Sequence, residues 1–237
     1  PAAVSGGAKK SLEIMRHWCR VRVQWGQPIY KHEAAAHMLA NSATSTFAMG
    51  ALSDISMALY DQKQDIRLEA AVAKLYNTEK GWDQVDDLLQ LRGGRGYETS
   101  DSLNARGEAG IPVEQMMRDF RINRIFEGTS EIMRLFIARE AVDEHLKISG
   151  VMIEKNKSLG EKLKAIPRIA LFYATWYPRQ WIYYDGWPRF SKYGELTPHV
   201  RYLVRSSKKL ARQIFHGMLF HGPNLQKKQR FLFRLVD

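Results

Sequence analysis

Apolar residues recur every three to four positions along the first part of the chain, which is the spacing of one helix face. In residues 8–24 the repeating positions include Met15 and Cys19, with Val23 as the last of the stripe. This pattern predicts a helix over 8–24. Pro28 ends it shortly afterwards, because proline disfavours helix in the residue before it.

Further helices are predicted downstream, with short breaks between them. The Gly-rich segment GGRGYETSDS at 93–102 is one break, and EGTS at 127–130 is another. Few runs alternate between apolar and polar residues as half-buried strands do. Long helices with short connections predict an all-α fold, a four-helix-bundle domain followed by an additional helical region. The predicted helices lie at about 31–62, at 66–92 with Asp65 as N-cap, at 113–121, and at about 129–148 with an apolar stripe of Ile132, Leu135, Phe136, Val142 and Leu146.

The composition changes near residue 148. Residues 149–165 are rich in charge and predict a connecting helix or linker. Two more helices are predicted, one over about 198–219 and one after Pro223. Between the linker and these helices, residues 171–193 carry ten aromatic side chains: Phe172, Tyr173, Trp176, Tyr177, Trp181, Tyr183, Tyr184, Trp187, Phe190 and Tyr193.

The 237-residue chain has a net charge of +11, and the positive charge lies almost wholly in its last part. From residue 149 onward there are 17 Lys and Arg against 5 Asp and Glu, whereas the preceding residues hold 19 against 20. This asymmetry predicts two regions, 1–147 and 148–237. A basic region can bind nucleic acid, anionic lipid or an acidic partner. The single cysteine, Cys19, excludes an internal disulfide and fits a reducing compartment.

Some familiar features are missing from the sequence. No apolar run approaches the roughly 20 residues of a membrane-spanning helix. The histidines of the pairs His32/His37 and His216/His221 are five apart, which is poor spacing for one helical face, so we predict no metal site. Both ends of the chain fall inside helical patterns without boundary residues, and we expect a piece of a longer polypeptide.

Glu127 lies between an aromatic residue and Gly-Thr-Ser, just before a predicted apolar helix. One interpretation is an ordinary first-turn carboxylate, which the helix dipole stabilises. The other is a base held over a substrate. Gly128 allows positive φ or a close approach to a ligand, and Thr129 or Ser130 can cap the next helix. From these residues alone both interpretations stay open.

Three stretches occur in a fixed order: RVQWGQPI at 22–29, QLRGGRGY at 90–97 and MRDFRINRIFEGTSEIMR at 117–134. Together they resemble the C-terminal helical domain of the acyl-CoA dehydrogenase family, and the resemblance covers roughly residues 5–146. The basic, aromatic-rich remainder resembles the very-long-chain members, which carry an extra helical region that associates with a membrane.

The resemblance implies FAD-dependent dehydrogenation of a fatty acyl-CoA. In the family the Glu at the position of Glu127 removes the α-proton of the thioester, a hydride leaves the β-carbon for flavin N5, and a trans-2-enoyl-CoA forms. The base needs a dry pocket, where desolvation raises a carboxyl pKa. Phe126 beside it is expected to exclude water, and Gly128 to lie against the substrate. A homodimer or higher homo-oligomer and an electron-transfer flavoprotein are the implied protein partners.

The resemblance also implies FAD contacts, mostly to a cofactor bound by the neighbouring subunit. Two departures put contacts in doubt: Glu131 lies where Gln or Asn is frequent, and Glu33 where Gln is frequent. Trp25 replaces the usual Phe but keeps a stacking surface, and Gln24 replaces a small hydroxyl residue. Without the resemblance, a surface Arg22 beside a core Trp25 is the alternative. The implied contact residues are Arg22, Gln24, Trp25, Gln90, Gly93, Gly94, Thr129 and Glu131.

Two questions remain open at this point. Residues 168–234 fit a membrane surface, with aromatic rings at headgroup depth and basic groups on anionic lipid, but the same aromatics can simply pack the extra region onto the body or the dimer partner. Nucleic-acid binding is not expected, because no recognised module surrounds the basic clusters.

Nothing in the chain resembles the family's flavin-binding β-domain, so we predict that this polypeptide alone is inactive. The alternatives are a multi-chain enzyme and a non-catalytic dimerisation or membrane-docking module.

Overall fold

The computed structural model describes residues 1–154, 156–182 and 189–237. Contacts within the chain divide it into two compact units, Pro1–Arg134 and Leu135–Asp237. The described residues are almost entirely helical, which confirms the predicted all-α class. The predicted boundary between 147 and 148 stays a prediction.

Three long helices form the body of the first unit: α1 (Ala2–Val21), α2 (Glu33–Asp61) and α3 (Arg67–Arg92). Each packs against the other two. Two short helices follow, α4 (Gly94–Tyr97) and α5 (Ser100–Ala105), and then α6 (Val113–Ile122), which packs on α3. The predicted long helices are thereby confirmed, while the Gly-rich break proves to hold two short helices.

The core of this unit mixes apolar and polar side chains. Met15, Leu88 and Val113 are fully buried and join α1, α3 and α6. Gln84 on α3 donates from Nε2 to the carbonyl oxygen of Ala8 (2.7 Å) and accepts from a threonine hydroxyl of α2. These bonds satisfy the buried amide, so burial of a polar side chain here carries little penalty.

The predicted helix over 8–24 is wrong at its end. Helix α1 stops at Val21, and a two-residue hairpin follows in which strands Val23–Gln24 and Gln27–Pro28 pair antiparallel. The turn residues Trp25 and Gly26 both have positive φ, 47° and 77°. A two-residue loop with two positive φ values matches the twist of a hairpin. Val23 is therefore a strand residue, 52% exposed, and not part of a buried stripe.

The predicted N-cap of α3 is displaced by one position. The N-cap is Ile66, which makes no side-chain capping bond. Asp65 precedes it, and its Oδ1 accepts from the backbone N–H of Arg67 at 3.1 Å. The Asp65 carboxylate thus satisfies a free N–H at the helix start from outside the cap position.

Helix α7 (Ser130–Ser149) includes residues of both units, and the second unit continues with α8 (Leu159–Arg179), α9 (Thr197–His221) and α10 (Gln229–Val236). Ser158 and Glu161 form a capping box that starts α8, so the charged linker is shorter than predicted. In the predicted apolar stripe of α7, Ile132 and Leu146 are exposed, at 53% and 39%, so the stripe is wrong at these two positions. Short 3₁₀ segments occupy Gly150–Met152, Arg189–Leu196 and Gly222–Lys227. Tyr183, Tyr184 and Trp187 of the aromatic segment lie outside the described residues.

Several aromatics of the second unit pack around a buried histidine. His145 on α7 is 6% exposed and stacks in parallel on Tyr173, with 5.7 Å between ring centroids. Trp176 meets the imidazole edge-on at 4.7 Å, and Phe215 of α9 adjoins Tyr173 at 4.9 Å. The Tyr173 hydroxyl lies 3.2 Å from His145 Nδ1. These side chains pack against one another within the second unit, and packing of the aromatic segment onto the body or a dimer partner stays a prediction.

The buried imidazole predicts a pH-dependent stability. Burial lowers the pKa of His145, and the carboxylate of Glu144 opposes this only in part. Below the ordinary pKa of about 6.5 the unfolded chain therefore binds more protons than the folded chain, and stability falls as pH falls. We expect the melting temperature to drop as pH falls below about 6.5, and His145→Phe to flatten this drop. Thermal melts followed by circular dichroism measure it.

The exposed His199 on the same unit provides the control, since His199→Phe removes one histidine without removing a buried one. An unchanged pH slope in His145→Phe would contradict the assignment.

Candidate active site

The Glu127 turn connects α6 to α7 with an unusual backbone. Glu127 has φ of 53° and Gly128 has φ of 100°, which confirms the predicted positive φ at the glycine. A Cβ on Gly128 would lie 2.9 Å from the flexible end of the Met133 side chain, so the positive φ rather than this contact is what favours glycine here. Positive φ at a glutamate costs about 1–2 kcal/mol. Such strain persists only where the surroundings hold it, and it is commonest at functional sites.

Two side chains of α3 hold the turn. Lys74 donates from Nζ to the carbonyl oxygen of Gly128 at 2.5 Å. Glu79 accepts from Arg124 before the turn, at 2.8 Å between Oε2 and a guanidinium nitrogen, and from the Ser130 hydroxyl after it. Ser130 is buried. One helix thus fixes both ends of the turn and its centre.

These two side chains were not predicted from the sequence. Lys74 and Glu79 lie 54 and 51 residues before their partners in the turn. In the helical pattern of α3 they look like ordinary surface charges, and no local signal distinguishes them.

Charges crowd around Lys74. Burial lowers the pKa of Lys74, while the carboxylates of Glu127, Glu79 and Glu131 oppose that decrease. Glu131 accepts from its own backbone N–H and from the Thr129 hydroxyl, and these bonds lower the Glu131 pKa. Thr129 Oγ1 also accepts from a backbone N–H in the first turn of α7 at 3.3 Å, which confirms its capping role.

The dry pocket expected around the base is not formed by the described part of this chain. Glu127 is exposed, and Phe126 is 45% exposed. The turn therefore presents its carboxylate outward. Removal of water from this carboxylate requires a surface other than the described residues.

The hairpin places a second group of predicted residues at the surface. Trp25 is 89% exposed, and its ring meets His32 edge-on at 5.4 Å between centroids. The alternative of a core Trp25 is therefore wrong. Gln24 is exposed, and its carbonyl oxygen lies 3.1 Å from His32 Nε2. Arg22 is half-buried and lies over the Trp18 ring, 5.9 Å from its centroid.

The Gly-rich loop provides open backbone beside the end of α3. Gly93 has φ of 59°, and a Cβ on Gly93 or Gly94 would meet no atom within 4 Å. Gln90 is exposed in the last turn of α3. The Gly93 N–H already donates to the Gln90 carbonyl oxygen at 3.1 Å, so an anion at this loop would face the N–H of Gly94 instead.

Trp18 brings the hairpin and the Gly-rich loop together. Its indole Nε1 donates to the carbonyl oxygen of Leu91 at 2.9 Å. Besides Arg22, it contacts Arg92, whose guanidinium is 4.8 Å from the ring centroid. Arg92 is 5% exposed and its Nε has no hydrogen-bond partner within the described residues. Neither Trp18 nor Arg92 was among the predicted contact residues, although Arg92 lies within the Gly-rich stretch at 90–97.

The Glu127 turn and the Gly-rich loop lie at different levels of α3. Lys74 and Gln90 are 16 residues apart on that helix, which corresponds to about 24 Å along its axis. The predicted site residues therefore form two regions within one chain. Among the described residues, no three His, Cys, Asp or Glu side chains come together in a way that could hold a metal ion.

An all-α bundle with a carboxylate on a strained turn and an open Gly-rich loop has the layout that the resemblance to a C-terminal acyl-CoA dehydrogenase domain implies. A family model described as acyl-CoA dehydrogenase, C-terminal domain, matches residues 2–142. The chain belongs to the acyl-CoA dehydrogenase family.

Individual relatives agree with this assignment. The chain is 48% identical over its whole length to the probable acyl-CoA dehydrogenase FadE10 of Mycobacterium tuberculosis, and it spans 37% of that protein's length. It is 29% identical over 91% of its length to the very long-chain specific acyl-CoA dehydrogenase of Homo sapiens, of which it covers 31%. A crystal structure of a probable acyl-CoA dehydrogenase from Mycobacterium abscessus superposes with a TM-score of 0.52 at 26% identity, over 58% of this chain and 34% of that chain.

Proposed function

We propose that this chain supplies the catalytic base and the neighbouring-subunit FAD contacts of an FAD-dependent fatty acyl-CoA dehydrogenase. The observation that carries the proposal is the backbone of Glu127, held at positive φ by Lys74 and Glu79. Backbone strain that neighbouring side chains hold in place on both sides of a turn is commonest at functional sites. Glu127 accepts the α-proton of the thioester, and a C=C bond forms between the α- and β-carbons.

FAD, when bound, accepts the hydride from the β-carbon. The residues of the hairpin and Gly-rich loop fit such a cofactor. Trp25 offers an exposed ring for stacking, and the lack of any atom within 4 Å of a Cβ on Gly93 or Gly94 leaves room for a close approach of the cofactor. Arg22 and the incompletely bonded Arg92 supply cations beside Trp18. Glu131 adds a negative charge on the α7 side, which favours a contact with a neutral part of the ligand.

The separation of the two regions favours a homo-oligomer. The Glu127 turn is held at Lys74 and the Gly-rich loop follows Gln90, two levels of α3 about 24 Å apart, so the two regions do not surround one flavin ring in the same way. We propose that the Glu127 turn faces one active site and that the hairpin and loop face the cofactor of a second copy. An electron-transfer flavoprotein is the proposed acceptor of the electrons.

The second unit is proposed to contact a membrane surface. No helix of the described chain is long and apolar enough to span a bilayer. Exposed apolar side chains nevertheless lie on α8 and α9 among basic residues, and Leu171, Tyr202 and Phe220 are 69%, 69% and 79% exposed. Apolar and cationic side chains together favour a position at the lipid headgroups.

A chimera tests the proposed enzyme function. We would replace the matched 37% of the mycobacterial relative with this chain and record the visible spectrum of the purified protein. On anaerobic addition of a long-chain acyl-CoA we expect the flavin band to bleach. The 237-residue chain by itself should be colourless and inactive.

The outcomes separate the candidate functions. A chimera that binds FAD but does not bleach would favour the non-catalytic module. Loss of FAD in a folded chimera would contradict the proposed cofactor contacts. Bleaching by the isolated chain would contradict its predicted inactivity.

A further inference from the structure

The second unit contains a large apolar cavity that the proposed dehydrogenation does not use. Its volume is about 1040 Å³, and its walls come from α7, α8, α9 and the segment 222–232. Ligand pockets typically measure about 300–1,000 Å³, so this one is at the upper end of the range. Ala138, Leu225 and Leu232, all buried, form one hydrophobic cluster at its floor.

The mouth of the cavity is apolar as well. Leu146, Met152, Ile153 and Leu219 line it and are 39%, 42%, 41% and 69% exposed. Protein interiors close-pack, and an empty space of this size forfeits dispersion contacts along its whole lining. An apolar occupant would restore those contacts and remove the rim side chains from water.

One charged side chain belongs to the described lining, and it is a cation. Arg139 of α7 is exposed at the cavity. The remaining polar lining groups are neutral: Ser149, Gln226 and the Tyr173 hydroxyl, which already lies against His145. An apolar cavity with one guanidinium at its edge matches a molecule with one long hydrocarbon chain and one carboxylate.

We propose that this cavity binds a long-chain fatty carboxylate, with the chain in the cavity and the carboxylate on Arg139. A neutral sterol would leave Arg139 without a role, and a two-chain lipid would need a wider headgroup site than one arginine. The inference does not rest on the proposed function of Glu127, because every lining residue belongs to the second unit.

Binding to the 237-residue chain tests the proposal, with a fluorescent long-chain fatty carboxylate displaced by unlabelled ones. Burial of each CH₂ is worth about 0.8 kcal/mol, so shortening the chain by two carbons should weaken binding by about tenfold. Arg139→Gln should weaken carboxylate binding by about tenfold and leave binding of the fatty alcohol of the same length unchanged. Arg168→Gln removes an exposed arginine of α8 outside the lining and should change neither.

A second pair of variants separates the cavity from the surface. Ile169→Trp fills the cavity and should abolish binding, whereas Leu171→Trp adds the same ring outside the lining on the same helix and should not. Circular dichroism shows whether each variant folds. If Ile169→Trp unfolds, the effect of Arg139→Gln on carboxylate binding tests the proposal by itself. Binding without chain-length dependence, binding insensitive to both Arg139→Gln and Ile169→Trp, or binding only to anionic vesicles would overturn the proposal.

Discussion

Glu127→Gln is expected to lower the rate of flavin reduction by acyl-CoA about 10³-fold in the chimera, within the range of roughly 10²–10⁴ for loss of a general base. The amide keeps the size of the side chain but does not accept a proton. Glu127 is exposed and makes no contact in the core, so the substitution should leave folding and FAD content unchanged. Stopped-flow absorbance at saturating acyl-CoA measures the rate, and the flavin-to-protein absorbance ratio measures the cofactor.

Glu131→Gln is the matched control. It removes a carboxylate four residues away in the same segment, where the Glu131 side chain bonds to its own backbone N–H and to Thr129. This carboxylate already accepts hydrogen bonds, and it belongs to α7 beyond the turn. We therefore expect Glu131→Gln to lower the rate of flavin reduction less than tenfold. If Glu127→Gln retains the parent rate, the base assignment is wrong and the non-catalytic module becomes the better interpretation.

Much of the fold could be predicted because helical periodicity is a local signal. The spacing of Met15 and Cys19 predicts the buried face of α1, and both are fully buried. The end of α1 was missed because the hairpin depends on Trp25 taking positive φ. Asn, Asp or Gly in this position would predict such a turn from the sequence, whereas a tryptophan does not.

The candidate site was predicted only as far as its motifs extend. The Glu127 turn, the hairpin and the Gly-rich loop are contiguous segments, and a resemblance can identify them. Lys74, Glu79 and Arg92 act through contacts with residues distant in sequence or through burial. Sequence periodicity shows which face of a helix is apolar. It does not show which charged side chain of that helix contacts a given loop.

The aromatic segment shows the same limit. Composition alone left packing and membrane binding open, because both use apolar rings with polar edges. The structure places Tyr173 and Trp176 around a buried histidine, while Leu171 on the same helix is exposed. One helix therefore presents both kinds of face, and helical spacing divides the residues between them.

The second large effect is expected at the side chains that hold the turn. Lys74→Met removes the donor to the Gly128 carbonyl, and Glu79→Gln removes one of the charges that hold Arg124. A displacement of about 1 Å in a reacting group can cost about 10²-fold in rate. We expect each variant to lower kcat about 10- to 100-fold in the chimera with little change in KM, because neither side chain is proposed to touch the acyl-CoA.

A purely structural role makes a different prediction. Lys80→Met removes a lysine of the same helix that pairs with Asp83 at 3.1 Å on the exposed face, and it should leave kcat unchanged. Lys74→Arg keeps a donor and should recover part of the lost kcat. Hydrogen exchange at the amides of Gly128 and Thr129 should accelerate in Lys74→Met and Glu79→Gln but not in Lys80→Met. If melting temperature falls in step with kcat while those amides stay protected, α3 stabilises the bundle without positioning Glu127, and the strain at Glu127 then needs another cause.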